Sequence, residues 1–291
     1  MNFQELEIAD VKKCIPILEN IKFLAKGGQK EVYKANLESK LVAVKFIHVG
    51  NLNEEQIELL NSNLDRVRRE INLLDSIKSN YLPVLSEIKP GLCYKGNSIF
   101  YYYVEDYING SNLVNKVLGN KEVIKMNLHI VYAIKNLWKF GVVHRDIKPG
   151  NIMYNNMNKS YVLVDLGFAL MLSKPSLTDS GLVPGTHIYM SPEQLRGPKR
   201  KLDFRSDLFS LGVVVYEQIT STHPFVKSNM NESEITESIL FAKEKGLDIY
   251  KDLFPEDFLN LIHKFLGKYP HMRYNSFDKI INILIKSIKD N

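Results

Sequence analysis

Cysteine is almost absent: Cys14 and Cys93 are the only two among 291 residues. Two isolated thiols make neither a disulfide framework nor a zinc site, so both read as idle or buried. No apolar run approaches the ~20 residues that a membrane-spanning helix needs. The opening MNFQELEIADVKK has no apolar core of a secretory leader, and the expectation is a soluble, cytoplasmic chain. Arginine is scarce, 8 against 30 lysines, and the net charge is only +5. A nucleic-acid surface usually shows a stronger stripe with stacking aromatics than the densest basic stretch here, Arg196 to Arg205, which argues against nucleic acid as the main partner. Seven histidines show no His-x-His or His-x-x-x-His spacing, so they build no metal centre. With 16 glycines and 11 prolines the chain is neither collagen-like nor of low complexity. A 45% hydrophobic share with 10% aromatics is ample for a packed core and excludes disorder of the whole.

The chain changes character near residue 109. Before it, Ile21–Leu24, the return after KGGQKEVYKANLES, the β-branched run Leu41–Val49, Tyr81–Ile88 and Ser98–Tyr107 read as strands. Between them, residues 53–77 carry Ile57, Leu60, Leu64, Val67, Ile71 and Leu74 at helical steps of three and four. After Gly110, Leu113–Phe140 is mostly helical and ends near Gly141. Short apolar runs follow at Val142–Val143 and Tyr161–Val164, and from Ser206 the pattern is helical to the end. The expectation is an α+β chain: an N-terminal extension over residues 1–20, a strand-rich lobe over 21–108 and a helical lobe over 109–291, hinged near 106–112.

The strongest chemical signal is VVHRDIKPGNIMY, followed 14 residues after Asn151 by Asp165 in VLVDLGFA. Phosphoryl transfer needs a carboxylate to orient the attacking hydroxyl, oxygen ligands to hold magnesium against the phosphates, and a cation to offset charge on the transferred group. Asp146, Asn151 with Asp165, and Lys148 are that set. Each segment alone could be a charged loop between apolar runs; together, and in this order, they resemble the catalytic and metal-binding loops of protein kinases. The metal-binding motif reads Asp165-Leu166-Gly167 here, where the family has Asp-Phe-Gly.

Further residues extend the resemblance from about Leu24 to Arg273. VAVK puts Lys45 where kinases carry the lysine that grips the α- and β-phosphates, and Glu70 in RVRREINLLDSI matches its carboxylate partner. GTHIYMSPEQL resembles the end of the activation segment, with Ser191-Pro192-Glu193 for Ala-Pro-Glu. Asp207 in SDLFSLG matches the buried aspartate that supports the catalytic loop, and Arg273 the arginine that pairs with Glu193. The family's glycine-rich loop departs from its pattern: Ala25, Gly27 and Lys30 stand at the three glycine positions, with an additional Gly28. The resemblance implies an adenine site lined by Leu24, Val32 and Ala43 against the hinge YVEDYINGSNL, with Glu105 at the gatekeeper position and Tyr107 beyond it. Arg145 implies control by phosphorylation in the activation segment, at Thr178 or Ser180.

The chain is therefore identified as a member of the eukaryotic-like serine/threonine protein kinases, similar to compact bacterial forms. The resemblance implies a bilobal fold and an ATP- and Mg2+-dependent transfer to Ser/Thr hydroxyls of proteins, with Asp146, Lys148 and Asn151 catalytic and Asn151 and Asp165 on the metal. Autophosphorylation is part of that expectation. The altered glycine-rich loop leaves open a pseudokinase scaffold that binds nucleotide weakly, and the Asp…Asn…Asp set leaves open a small-molecule kinase.

Overall fold

The computed structural model describes residues 5–27, 30–51, 61, 64–65, 67–68, 71–72, 75–165, 187–197 and 202–290. They divide into two compact units. One holds the residues up to Lys78 with Pro83–Asn109; the other holds Ser79–Leu82, residues 110–165 and the described residues from His187 on.

The first unit is built on an antiparallel sheet. Leu18–Gly27 (β1), Lys30–Leu37 (β2), Lys40–Asn51 (β3), Gly91–Lys95 (β4) and Ser98–Asp106 (β5) lie in the order β1-β2-β3-β5-β4. The β-branched run falls in β3, where Val42–Val49 is buried throughout. Alternation along the strands gives the sheet two faces. One carries Tyr33, Ala35, Val42, Val44, Phe46, Cys93, Phe100 and Val104, which pack with Leu6, Val11, Ile15 and Leu18 as one core. Val11 comes from a short helix, Ile8–Cys14 (α1), opened by a capping box between Glu7 and Asp10.

α1 is held onto this face by three kinds of bond. Cys14 is disulfide-bonded to Cys93 on β4. Lys95 reaches Glu7 at 3.1 Å and Asp10 at 2.8 Å. Leu6 is gripped at both backbone groups, its N–H donating to Glu31 at 3.2 Å and its carbonyl accepting from Tyr33 Oη at 2.7 Å. The idle-thiol expectation is therefore wrong: α1 and β4 meet across the core and bring the two sulfurs together. The segment expected as an N-terminal extension contributes this helix and the start of β1.

Between β3 and β4, the described residues from 61 to 76 are helical, with Leu64, Val67 and Ile71 buried as their spacing predicts. The rest of that expected helix, Glu70 included, lies outside the described residues. Tyr81–Ile88 forms no strand. Pro83 removes a ladder donor, and what remains is an isolated bridge, Leu85 with Glu105, flanked by Ser86 N–H to Val104 O and Asp106 N–H to Val84 O, each 2.8 Å.

In the second unit, Gly110–Asn112 (β6), Ile152–Asn155 (β7) and Ser160–Leu163 (β8) make a small antiparallel sheet. A Cβ on Gly110 would fall 1.7 Å from Tyr154 O, so only glycine allows this strand approach. Asn120–Trp138 (α2) turns out at Gly141, whose φ of 71° lets Val142 N–H reach back to Leu137 O at 3.1 Å. Val142–Val143 is not a strand but leads into the loop that carries Asp146, Lys148 and Asn151. The remaining helices are Pro192–Leu195 (α3), Phe204–Thr220 (α4), Glu232–Phe241 (α5), Glu256–Phe265 (α6) and Phe277–Asp290 (α7). α4 is buried over most of its length and packs against α2 and α6. No helix among the described residues is long and apolar enough to cross a membrane.

Candidate active site

The loop between α2 and β7 carries two side chains, one charged and one an amide, that converge on one carboxylate. Lys148 Nζ lies 2.9 Å from Asp146 Oδ2, and Asn151 Nδ2 donates to the same oxygen at 2.8 Å. Asn151 Nδ2 also donates to the Asp146 carbonyl at 2.8 Å, closing the loop on itself. Both side-chain donors fall on Oδ2, which leaves Oδ1 oriented and able to accept a proton. Asp146 and Lys148 are partly exposed; Asn151 is buried.

The loop backbone is strained and tied down. Arg145 has φ 68°, a left-handed conformation that costs a non-glycine residue about 1–2 kcal/mol. Its N–H donates to Asp207 Oδ1 and that of His144 to Asp207 Oδ2, both at 2.9 Å. Burial pushes Asp207 up to about 7, against these two N–H groups, which favour its charge. The Arg145 carbonyl accepts from Gln194 Nε2 at 2.9 Å. The Arg145 side chain is exposed, and Thr178 and Ser180, the acceptors expected from the sequence, lie outside the described residues.

His144 is fully buried and links this loop to the next. Its Nδ1 accepts from Asp146 N–H at 3.3 Å, so Nε2 is the protonated nitrogen that donates to Val164 O at 3.1 Å. Val164 N–H donates to Asn151 O at 2.8 Å. Held on both sides, Val164 fixes where the following Asp165 emerges, at φ 67°. Leu166 and Gly167 lie outside the described residues.

The donor set suits magnesium. With Asn151 Nδ2 committed to Asp146, its Oδ1 is the atom a cation would meet, and Asp165 adds a carboxylate. Magnesium prefers a few hard oxygens and completes its shell with water and phosphate rather than with an all-protein cage. Among the described residues there is no cluster of three or more His, Cys, Asp or Glu.

Below the loop, Glu193 and Arg273 form a buried bidentate pair, with Arg273 Nη1 at 2.6 Å and Nη2 at 3.0 Å. Burial raises Glu193, but the bonds from Arg273 and Ser206 outweigh it and leave the carboxyl below its ordinary range. Asp207 and Arg273 thus stand where the resemblance implies. Sequence reasoning missed Gln194 and Ser206, which bind the loop and Glu193; their adjacency to Ser191-Pro192-Glu193 and Asp207 was the available signal.

In the first unit, residues directly opposite on antiparallel strands share a face. Ala25 opposes Val32, Val32 opposes Lys45, Lys45 opposes Tyr103, and Ala43 opposes Glu105. The sheet face away from α1 therefore carries Ala25, Val32, Ala43, Lys45, Tyr103 and Glu105 together. Lys45 Nζ is 2.7 Å from Glu105 Oε1, with both side chains 7% exposed. Burial pulls the Lys45 ammonium down, but Glu105 and Tyr103 more than offset it and hold its pKa above the ordinary lysine value. Glu105 is thus a carboxylate partner of Lys45; Glu70, the partner that the resemblance implies, lies outside the described residues.

Gly27 opposes Lys30 at the strand ends, with Gly28 outside the described residues. Leu24 is exposed. The Tyr107 ring sits 4.2 Å under the Lys34 ammonium, and its N–H donates to Leu41 O at 3.2 Å.

The protein kinase domain family model matches residues 18–284. Among curated proteins, the chain is similar to the probable serine/threonine-protein kinase CPE1738 of Clostridium perfringens, 28% identical over 94% of this chain and 38% of the relative. It is 28% identical to the serine/threonine-protein kinase PrkC of Bacillus subtilis, over 88% of this chain and 38% of that protein. It is 33% identical to the probable serine/threonine-protein kinase PknB of Bifidobacterium longum, over 69% and 30%. The chain spans about two-fifths or less of the length of these relatives. With the catalytic-loop geometry and a family match over nearly its whole length, the chain belongs to the protein kinase family.

Proposed function

We propose that this chain transfers the γ-phosphoryl group of ATP to serine and threonine hydroxyls of proteins. One observation carries the reading: Lys148 and Asn151 converge on Asp146 Oδ2, in a loop whose strained backbone is held by Asp207. In this reading the kinase lobes are 21–108 and 109–291, close to the two units except that the first unit also takes in the residues before 21 and Asn109, and the second takes in Ser79–Leu82.

Asp146 Oδ1 accepts a hydrogen bond from the substrate hydroxyl and takes its proton as the oxygen attacks the γ-phosphorus; ADP leaves with the bridging oxygen. Lys148, beside Asp146, offsets charge on the transferred group. Asn151 Oδ1 and Asp165 would hold magnesium, which neutralises phosphate charge when bound. Lys45 grips the α- and β-phosphates, and Val32 and Ala43, on its sheet face, offer the adenine an apolar bed.

ATP as co-substrate favours a cytoplasmic site of action, although the Cys14–Cys93 disulfide is of a kind uncommon there. The Glu193–Arg273 pair, built from the segment that small-molecule kinases lack, favours a protein substrate. Incubation with radiolabelled ATP, magnesium and a generic protein substrate, followed by phosphoamino-acid analysis, tests the reading. Label in phosphoserine and phosphothreonine is expected. Nucleotide binding without transfer would instead make the chain a pseudokinase.

A further inference from the structure

Lys45 and Glu105 are both almost fully withdrawn from water and sit 2.7 Å apart. An ammonium and a carboxylate removed from water are each unfavourable alone, and such a pair persists where its geometry is good and other bonds support it. Here the support is the strand register. Glu105 opposes Ala43, two residues from Lys45 on the same face, while Tyr103 opposes Lys45 itself and hydrogen-bonds its ammonium. The Lys45 side chain therefore crosses diagonally toward Glu105, between two residues of one neighbouring strand.

We propose that Glu105 is a positioning residue for the phosphate-binding lysine: it fixes the Lys45 ammonium where nucleotide phosphates are gripped, and it acts on the phosphates through Lys45 rather than on the base. The inference rests on the ATP-dependent reading above. A carboxylate on the strand beside β3 does this with a geometry that the sheet alone enforces. β3 and β5 are hydrogen-bonded along Val42–Asn51 and Ser98–Asp106, so the two side chains share one rigid support. An ammonium has three N–H donors. Bonds to Glu105 and Tyr103 orient the group, and the carboxylate charge keeps the amine protonated in a dry setting.

The consequence is a dependence on phosphate and not on base. The test is calorimetric titration of the full chain with Mg-ATP and with adenosine, for the wild type, Glu105→Gln, Lys45→Met and the double variant. Glu105→Gln keeps the shape and removes the charge; ATP binding is expected to weaken about tenfold, as for loss of a charged hydrogen bond, with adenosine binding unchanged. In the Lys45→Met background, Glu105→Gln is expected to change ATP affinity no further. In turnover, the KM for ATP rises and kcat falls while the KM for the protein substrate holds.

Should Glu105→Gln not fold, Glu105→Asp reads the same quantity. It keeps the charge but draws the ammonium back, and ATP affinity must fall while adenosine affinity holds. Equal losses for ATP and adenosine would make Glu105 a base contact and overturn the proposal. Unchanged or tighter ATP binding would overturn it too. A wild-type chain that binds no Mg-ATP would instead defeat the ATP-dependent reading itself.

Discussion

Arg273 closes on both carboxylate oxygens of Glu193 from 80 residues away in sequence, at 2.6 and 3.0 Å. The guanidinium also donates to Gly267 O and Arg205 O, and lies 4.9 Å over the Phe209 ring. One side chain thus joins α3, α4 and the turn after α6.

Removing one partner of such a pair leaves an uncompensated buried charge. Arg273→Ala is expected to destabilise the chain by about 3–5 kcal/mol. Arg273→Lys keeps the charge without the planar fork and falls between. Urea unfolding followed by circular dichroism measures both. An Arg273→Ala midpoint equal to wild type would show that the pair does not hold these elements.

Asp207 separates loop geometry from folding. In Asp207→Asn, one of the two N–H donors faces an NH2 group, a lost acceptor worth about 1–3 kcal/mol. The left-handed Arg145 backbone then loses its anchor, and Asp146 moves with it. Steady-state kinetics should show kcat falling with little change in the KM for ATP. Unchanged kcat would mean that the loop keeps its conformation without Asp207.

The Cys14–Cys93 disulfide clamps α1 over the apolar sheet face. Its loss should lower stability by about 2–4 kcal/mol. Calorimetry with and without a thiol reductant should give a lower Tm in the reduced protein, and a Cys14→Ser, Cys93→Ser double variant should match the reduced wild type and ignore the reductant. Identical melts in both conditions would mean that Lys95 and the apolar packing hold α1 unaided.

His223 supplies a pH dependence with a defined sign. Burial lowers its pKa to about 4, and Phe225 and Val226 N–H groups donate to Nδ1 at 3.1 and 2.9 Å, which leaves Nε2 as the donor to Ile188 O. The unfolded chain takes up a proton near 6.5 and the folded one does not. The histidine's contribution is therefore complete above pH 6.5 and fades as pH falls toward 4, by roughly 3 kcal/mol. Asp207, raised to about 7, works in the opposite sense throughout this range, since its folded form binds the proton first. The difference in unfolding free energy between wild type and His223→Asn cancels that opposing effect. This difference should narrow as pH falls from 6.5 to 4; a constant difference would contradict a neutral, backbone-locked imidazole.

The candidate catalytic loop is legible in the sequence because the proposed chemistry demands particular residue types at short, fixed spacing, so Asp146, Lys148, Asn151 and Asp165 stand out in one dimension. Asp207, Glu193 and Arg273 were legible only through the resemblance, since nothing local in sequence ties residues 80 apart. What stayed hidden depends on register or distance. Two lone cysteines carry no sign of which face each occupies, and the seven residues of α1 are too few for a periodicity to emerge. β4 was missed although Gly96-Asn97 is a hairpin turn pairing Lys95 with Ser98. Tyr81–Ile88 was read as a strand from its β-branched content, which Pro83 overrides. The Lys45–Glu105 contact follows from Ala43 opposing Glu105, a register that no spacing in the sequence reveals.

The central claim is that Asp146, oriented by Lys148 and Asn151, directs phosphoryl transfer. The most direct measurement is transfer from radiolabelled Mg-ATP to a protein substrate by wild type and Asp146→Asn, with ATP affinity and Tm determined for both. The account predicts label on serine and threonine for wild type and a rate lower by about 10²–10⁴-fold for Asp146→Asn, with ATP affinity and Tm preserved. Equal transfer rates in the two folded proteins would contradict it.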